Sequence, residues 1–399
     1  MTRTSANRRS PWPWRVAVAA VLVALVAAIA VVQTRAWART VLPSDQVVAA
    51  LTGTSDGYLL VRGGAFDGQH GTRPDDTIVT DASDAGREHA VFTAARIQQF
   101  AAADGWLAVV TLDSAGSATL LAVEPATGRQ VALPLPSVGV VDGLAIGGSA
   151  VAATFTATDN AAGDGVAEGG RLLVWQVPAT GDQAALVVGA ASTTSATDAR
   201  FGDEVAVTAD GHYAVLRQFD DTLLRVDLTG AEPDLVLGVF AEMQSLTADG
   251  RLVVADAAGA FSMVDVGSGD RQRLVTAVPA DLDSSARLLR LSAADWGGAA
   301  VYDTGAGYSV QALTADGSRQ LATVDQVATQ LVSVCAAPGS QLVAVTTAPT
   351  NARDDEYPRA SATDRTSTTI YDADTGAQVT AIDAWSVGWC QRYQPIAAG

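Results

Sequence analysis

Residues 244–278 read QSLTADGRLVVADAAGAFSMVDVGSGDRQRLVTAV, four short β-rich runs separated by three breaks. Leu246 leads into the tight turn Ala248-Asp249-Gly250, and residues 252–255 form an apolar run. Phe261, Met263, Val264 and Val266 then precede a second turn, Gly267-Ser268-Gly269, and a shorter break at 257–259 parts the two hairpins. Asp-Gly and Ser-Gly pairs mark hairpins because they accept the positive φ that tight turns demand.

The same two turns recur along the chain. The first falls at Gly57, Gly105, Gly148, Gly211, Gly250, Gly298 and Gly339, and the second at Gly86, Gly128, Gly181, Gly230, Gly269, Gly317 and Gly376, in strict alternation. Successive first turns lie 39 to 63 residues apart, around the ~40–50 residues of one four-stranded propeller blade. One such sheet cannot bury both of its faces, whereas sheets arranged radially bury each other. The pattern predicts an all-β fold: a seven-bladed β-propeller of four-stranded blades over residues 46–399. Two stacked sandwiches would not alternate two distinct turns at this period.

Repeat length is not uniform. From first to second turn, three repeats span 19 residues, while repeats 1, 3 and 7 span 29, 33 and 37. The extra length lies at 63–76, 156–170 and 348–365, between second and third strands. Longer blade-to-blade links near 190–200 and 278–286 fall on the same edge of the ring. Loop length gathered on one face of a rigid scaffold is the usual layout of a binding surface.

A ring must join its ends. After an outer strand at 378–382, the surplus segment 385–392 is expected to supply an inner strand beside the first repeat. It contains Cys390, and the other cysteine, Cys335, stands in the inner strand of repeat 7. In an exported chain an isolated pair is most simply a disulfide, with two free thiols as the alternative. Closing so long a loop stabilises by roughly 4 kcal/mol in the chain-entropy model.

Residues 16–32, VAVAAVLVALVAAIAVV, form an uncharged apolar run of 17 residues, at the short end of what spans a ~30 Å hydrocarbon layer. Trp12, Trp14 and Trp37 flank it, with four Arg before it and two after. This predicts a cytoplasmic basic tail (1–15), a transmembrane signal anchor (16–32), a linker (33–45) and an extracytoplasmic propeller on a bacterial cell membrane. Cleavage near Ala38 is the alternative, since Ala36-Trp37-Ala38 has the small-x-small form that signal peptidase accepts.

All 25 basic residues are Arg, and six of them precede the first acid at Asp45. The remaining 19 face 43 acids, a net charge of −24. So acidic a body repels phosphate backbones and anionic lipid, which argues against nucleic acid as a partner.

The Ala-Asp-Gly turns, and second turns such as Tyr371-Asp372-Ala373-Asp374-Thr375-Gly376, resemble bacterial WD40-like and quinoprotein-like β-propeller repeats over about residues 46–383. Quinoprotein repeats carry a docking Trp four residues after the second-turn glycine; this chain has Ala132, Ala185 and Thr380 there. The resemblance therefore implies the propeller more firmly than it implies quinone binding.

The chain has no Gly-x-Ser-x-Gly elbow, no His-Glu-x-x-His, no Gly-x-Gly-x-x-Gly and no phosphate loop. Its three histidines, His70, His89 and His212, are too few and too scattered for a zinc site. Carboxylates are the remaining ligand-binding candidates: Asp75 and Asp76 in the first insertion, and Asp354, Asp355 and Glu356 in the last. Such oxygen-rich loops can hold Ca²⁺ when brought together, but neither has EF-hand spacing, and a hydrated acidic loop is the favoured reading. Asp372-x-Asp374-x-Gly376 reads as a hairpin turn. The expected function is a membrane-tethered binding or scaffold module for a protein, glycan or small ligand of the cell envelope. The alternative is a quinoprotein-like or hydrolytic extracytoplasmic enzyme with residues gathered from several blades.

Overall fold

Leu252 and Val254 point to one face of their strand, Val253 and Ala255 to the other, and all four are buried. A strand apolar on both faces needs cover on both sides, and the computed structural model shows where the cover comes from. It describes residues 38–40, 57–62, 76–82, 87–94, 386–387 and Cys390, and within 97–382 all but 104, 114–116, 126, 158–169, 189–200, 275–277, 339 and 350–366. The chain divides into two compact units, Met1–Arg39 and Thr40–Gly399, the second carrying the sheets. The expected basic tail and apolar run 16–32 lie outside the described residues, as does the linker apart from β1 (Ala38–Thr40). Among the described residues no helix is long and apolar enough to cross a membrane.

Next in the chain come β2 (Gly57–Arg62), β3 (Asp76–Ala82) and β4 (Arg87–Ala94). Six four-stranded antiparallel sheets follow, each in sequence order. They are β5 (Ile97–Ala103), β6 (Trp106–Leu112), β7 (Ala118–Glu124) and β8 (Arg129–Leu133); then β9 (Gly139–Gly147), β10 (Ala150–Ala157), β11 (Arg171–Gln176) and β12 (Ala185–Val188). The third is β13 (Phe201–Val207), β14 (Tyr213–Gln218), β15 (Thr222–Asp227) and β16 (Leu235–Val239). The fourth is β17 (Glu242–Leu246), β18 (Arg251–Ala255), β19 (Phe261–Asp265) and β20 (Arg271–Arg273). The fifth is β21 (Arg287–Ala294), β22 (Gly297–Asp303), β23 (Tyr308–Thr314) and β24 (Gly317–Val324). The last is β25 (Thr329–Ala336), β26 (Leu342–Pro349), β27 (Ser367–Asp372) and β28 (Gln378–Ile382), followed by β29 (Ser386–Val387).

The fold is thus an all-β propeller of four-stranded blades, but with six blades and not the expected seven. Six sheets are four-stranded blades, and the remaining sheet has five strands in the order β1-β4-β3-β2-β29. The count differs because repeated turns mark hairpins without stating the make-up of the sheet that the first repeat joins. Its β2 pairs antiparallel with β29 from the far end of the chain, Leu60 opposite Val387 and Val61 opposite Ser386. The surplus carboxy-terminal segment therefore lies where the sequence places it.

Among the described residues, apolar cores join successive blades. Val110, Leu120 and Val131 of one sheet pack with Val141, Phe155 and Trp175 of the next. Ala145 and Val174 turn the other way to meet Val205 and Leu216, Val215 and Leu223 meet Leu252 and Val254, Val253 and Phe261 meet Ala300 and Tyr302, and Val301 and Val310 meet Leu331 and Val343. Period-2 alternation within continuous apolar runs feeds both interfaces at once.

The first strand of each blade lies innermost, and all six break register with the second strand. The register skips Gln98 in β5, Asp142 in β9, Gln244 in β17, Leu289 in β21 and Val332 in β25, and in β13 the slip spans Phe201 to Val205. Each bulge bends its strand and re-aims side chains.

Candidate functional site

In each blade the hairpin turns between first and second and between third and fourth strands lie on one edge. The second-to-third connections and blade-to-blade links lie on the other. On that second edge three connections are long: 63–75 between β2 and β3, 158–170 between β10 and β11, and 350–366 between β26 and β27. In the blades of β17 and β21 the equivalent connections are only 256–260 and 304–307. Ala157, Arg171, Pro349 and Ser367 fix where two of the long connections leave and return.

The inner-strand bulges open towards this edge and bring polar groups with them. Glu204 in β13 has a fully buried side chain; its Oε1 lies 2.8 Å from Arg217 Nη2 in β14, and its Oε2 accepts the Met243 N–H of the next blade at 2.9 Å. Arg217 Nη1 donates to Asp221 Oδ1 at 2.6 Å, where the chain turns into β15 with a φ of 66°. Burial alone would weaken the charge on Arg217; the hydrogen bond and charge of Glu204 outweigh it and raise its pKa.

The pattern continues around the ring. Arg290 Nη1 in β21 reaches Glu242 Oε2 in β17 at 3.1 Å, and Gln244 Nε2 donates to the same carboxylate. Nearer the hairpin-turn edge, where β21 and β25 end, Ser245 Oγ accepts the Ala293 N–H at 2.8 Å, and Ser292 Oγ the Ala336 N–H at 2.9 Å. On the other side Gln99 Nε2 donates to Asp142 O at 2.8 Å, and Thr156 Oγ1 to Asp142 Oδ2 at 2.6 Å. Innermost strands are sheet edges with backbone groups left over. Side chains of the adjoining blade satisfy several of them, which makes a stiff polar rim presenting both carboxylate and guanidinium.

The opposite edge is closed by its own turns. Thr208 Oγ1 donates to Asp210 Oδ1, and Thr247 Oγ1 to Asp249 Oδ1, so the two Thr-Ala-Asp-Gly turns are built alike. These threonine bonds lead the lowering of both aspartate pKa values. In the Asp372 turn, the Thr375 N–H and hydroxyl both donate to Asp372 Oδ1 at 2.7 and 2.8 Å, a hairpin turn as the sequence predicts.

Arginines also lock this edge. Arg129 donates to the carbonyls of Pro178 (2.6 Å), Ala179 (3.0 Å) and Gly181 in the second turn of the next blade, and Arg225 Nη1 does so to Gly267 O at 2.7 Å. The Arg fork therefore caps turn carbonyls between blades in a chain that lacks the docking tryptophan.

Of the carboxylates singled out in the sequence, Asp75, Asp354, Asp355 and Glu356 lie outside the described residues. Asp76 opens β3, its backbone opposite Ala94. His70 is also outside, and His212 is partly exposed, stacked on Tyr213 with ring centroids 4.4 Å apart. Cys335 and Cys390 form the disulfide, with Cα atoms 5.6 Å apart. Sequence reasoning missed the rim of Glu204, Arg217, Glu242 and Arg290. Its signal is present as polar residues interrupting apolar inner strands: IQQFAAA, GVVDGLAIG, FGDEVAV and EMQSL.

No protein-family model and no curated protein matches this chain. Its fold is similar to that of a prolyl endopeptidase, at 13% identity and a TM-score of 0.50 over 86% of this chain and 52% of that one. The chain thus spans about half the length of that protein. Other similar structures are apo AztD from Citrobacter koseri (13% identity, 64% of this chain and 68% of that chain, TM-score 0.39) and TolB from Agrobacterium tumefaciens (10%, 82% and 90%, TM-score 0.37). At these identities the likeness is one of fold.

Proposed function

We propose that this chain is a membrane-tethered, extracytoplasmic propeller that binds or scaffolds a protein or glycan of the cell envelope. The observation that carries the reading is the asymmetry of the two edges. Long second-to-third connections and a polar rim share one edge, while short, internally bonded turns close the other. The apolar run at 16–32 supports tethering, the disulfide supports an oxidising compartment, and the acidic body disfavours nucleic acid. The resemblance to WD40-like and quinoprotein-like repeats fits a binding role, the missing docking tryptophans notwithstanding.

The test is affinity capture of the tethered chain from its own membranes, with mass spectrometry of what co-purifies. A reproducible envelope partner, lost when 350–366 are deleted, is expected. Turnover of a quinone-linked or hydrolysable substrate by the pure chain, with no partner recovered, contradicts the reading.

A further inference from the structure

Leu60 and Val61 of β2 pair with Val387 and Ser386 of β29 on its inner side. These backbone contacts join the two ends of the ring and must offset the entropy of ordering the chain end that makes them. Three residues past β29, Cys390 is buried and bonded to Cys335 in β25, the innermost strand of the preceding blade. The disulfide therefore anchors the chain end next to a seam where strands from opposite ends of the sequence meet. A covalent tether of this kind keeps the local concentration of β29 high at β2.

From this placement we propose that the Cys335–Cys390 disulfide is a redox-sensitive latch: reduction opens the propeller at the β29–β2 seam alone and leaves the other blades folded. This holds independently of the binding reading above. In the reducing step the thiolate of a dithiol attacks one cysteine sulfur, and the other cysteine leaves as thiolate and takes up a proton. The reductant's second thiolate then attacks the mixed disulfide, freeing the remaining cysteine as a thiol and ending as a cyclic disulfide. Two electrons and two protons pass to the protein.

The experiment is hydrogen–deuterium exchange of the full chain before and after dithiothreitol, with alkylation confirming both thiols. Exchange over 57–62 and 383–390 is expected to quicken at least tenfold on reduction, while 213–227 keeps its protection; reoxidation restores the first pattern. The double variant Cys335→Ser/Cys390→Ser should match the reduced chain without reductant, and if it fails to fold, reduction of the folded chain decides alone. Unchanged exchange at 57–62 with both thiols alkylated overturns the latch. So does loss of protection in 213–227 together with the seam, or a disulfide that dithiothreitol cannot reduce while the chain stays folded.

Discussion

Arg217 Nη2 lies 2.8 Å from Glu204 Oε1, and the glutamate side chain is fully buried while the arginine is partly exposed. Removing the arginine takes a compensating guanidinium away from a buried carboxylate, a costly way to break such a pair. Arg217→Met is expected to destabilise by about 3–5 kcal/mol in urea unfolding. Glu204→Gln, which retains an acceptor for the Met243 N–H, should cost less.

Asp227 gives the fold an acid-sensitive element. Burial by itself would raise its carboxyl pKa, but the hydroxyl and N–H of Thr229 and the N–H groups of Glu232 and Ala231 outweigh it and hold the value at about 2. Because the folded value lies below the unfolded one, this stabilisation is fully present above about pH 4 and is lost as pH falls towards 2. Denaturant midpoints measured from pH 5 to pH 2 should fall for the native chain, and more shallowly for Asp227→Asn.

Two identical turn sequences separate local strain from packing. Gly211 and Gly250 both close Thr-Ala-Asp-Gly turns, with φ of +71° and +80°. A Cβ at Gly250 would meet nothing within 4 Å, whereas one at Gly211 would lie 2.6 Å from the backbone oxygen of Gly147 in the preceding blade. Gly250→Ala should cost about 1–2 kcal/mol from the left-handed conformation alone. Gly211→Ala should cost distinctly more, and equal thermal shifts for the two would refute the blade contact.

Arg129 tests the arginine lock. Its guanidinium donates to three carbonyls of the next blade's turn, a geometry that one ammonium cannot reproduce. Arg129→Lys and Arg129→Ala should each lower stability by about 1–2 kcal/mol, with lysine recovering little of the loss. Near-complete recovery by lysine would mean that charge, not the fork, matters.

The repeat period and turn chemistry made the blades legible, because each turn glycine or acid is fixed by local backbone needs. The pairing of β29 with β2 was legible too, since an exposed inner edge at the start of a ring must be covered. The number of blades was not, because turns mark hairpins without stating which strands complete a sheet. Glu204 and Arg217 stayed hidden for a related reason. They meet through a register slip in β13, which a regular alternation of inward and outward residues does not reveal. The acids chosen as ligands, Asp75 and Asp354 among them, stand in segments whose length alone recommended them.

Recognition through one edge of the ring is tested most directly by equilibrium binding of the captured envelope partner to three purified chains. The chains are the native one, one with 158–169 and 350–366 replaced by short turns, and one with the opposite-edge turn 267–270 replaced. At matched circular dichroism, at least a hundredfold weaker binding is expected for the second chain only. Undiminished binding by that chain, or an equal loss in the third, contradicts the account.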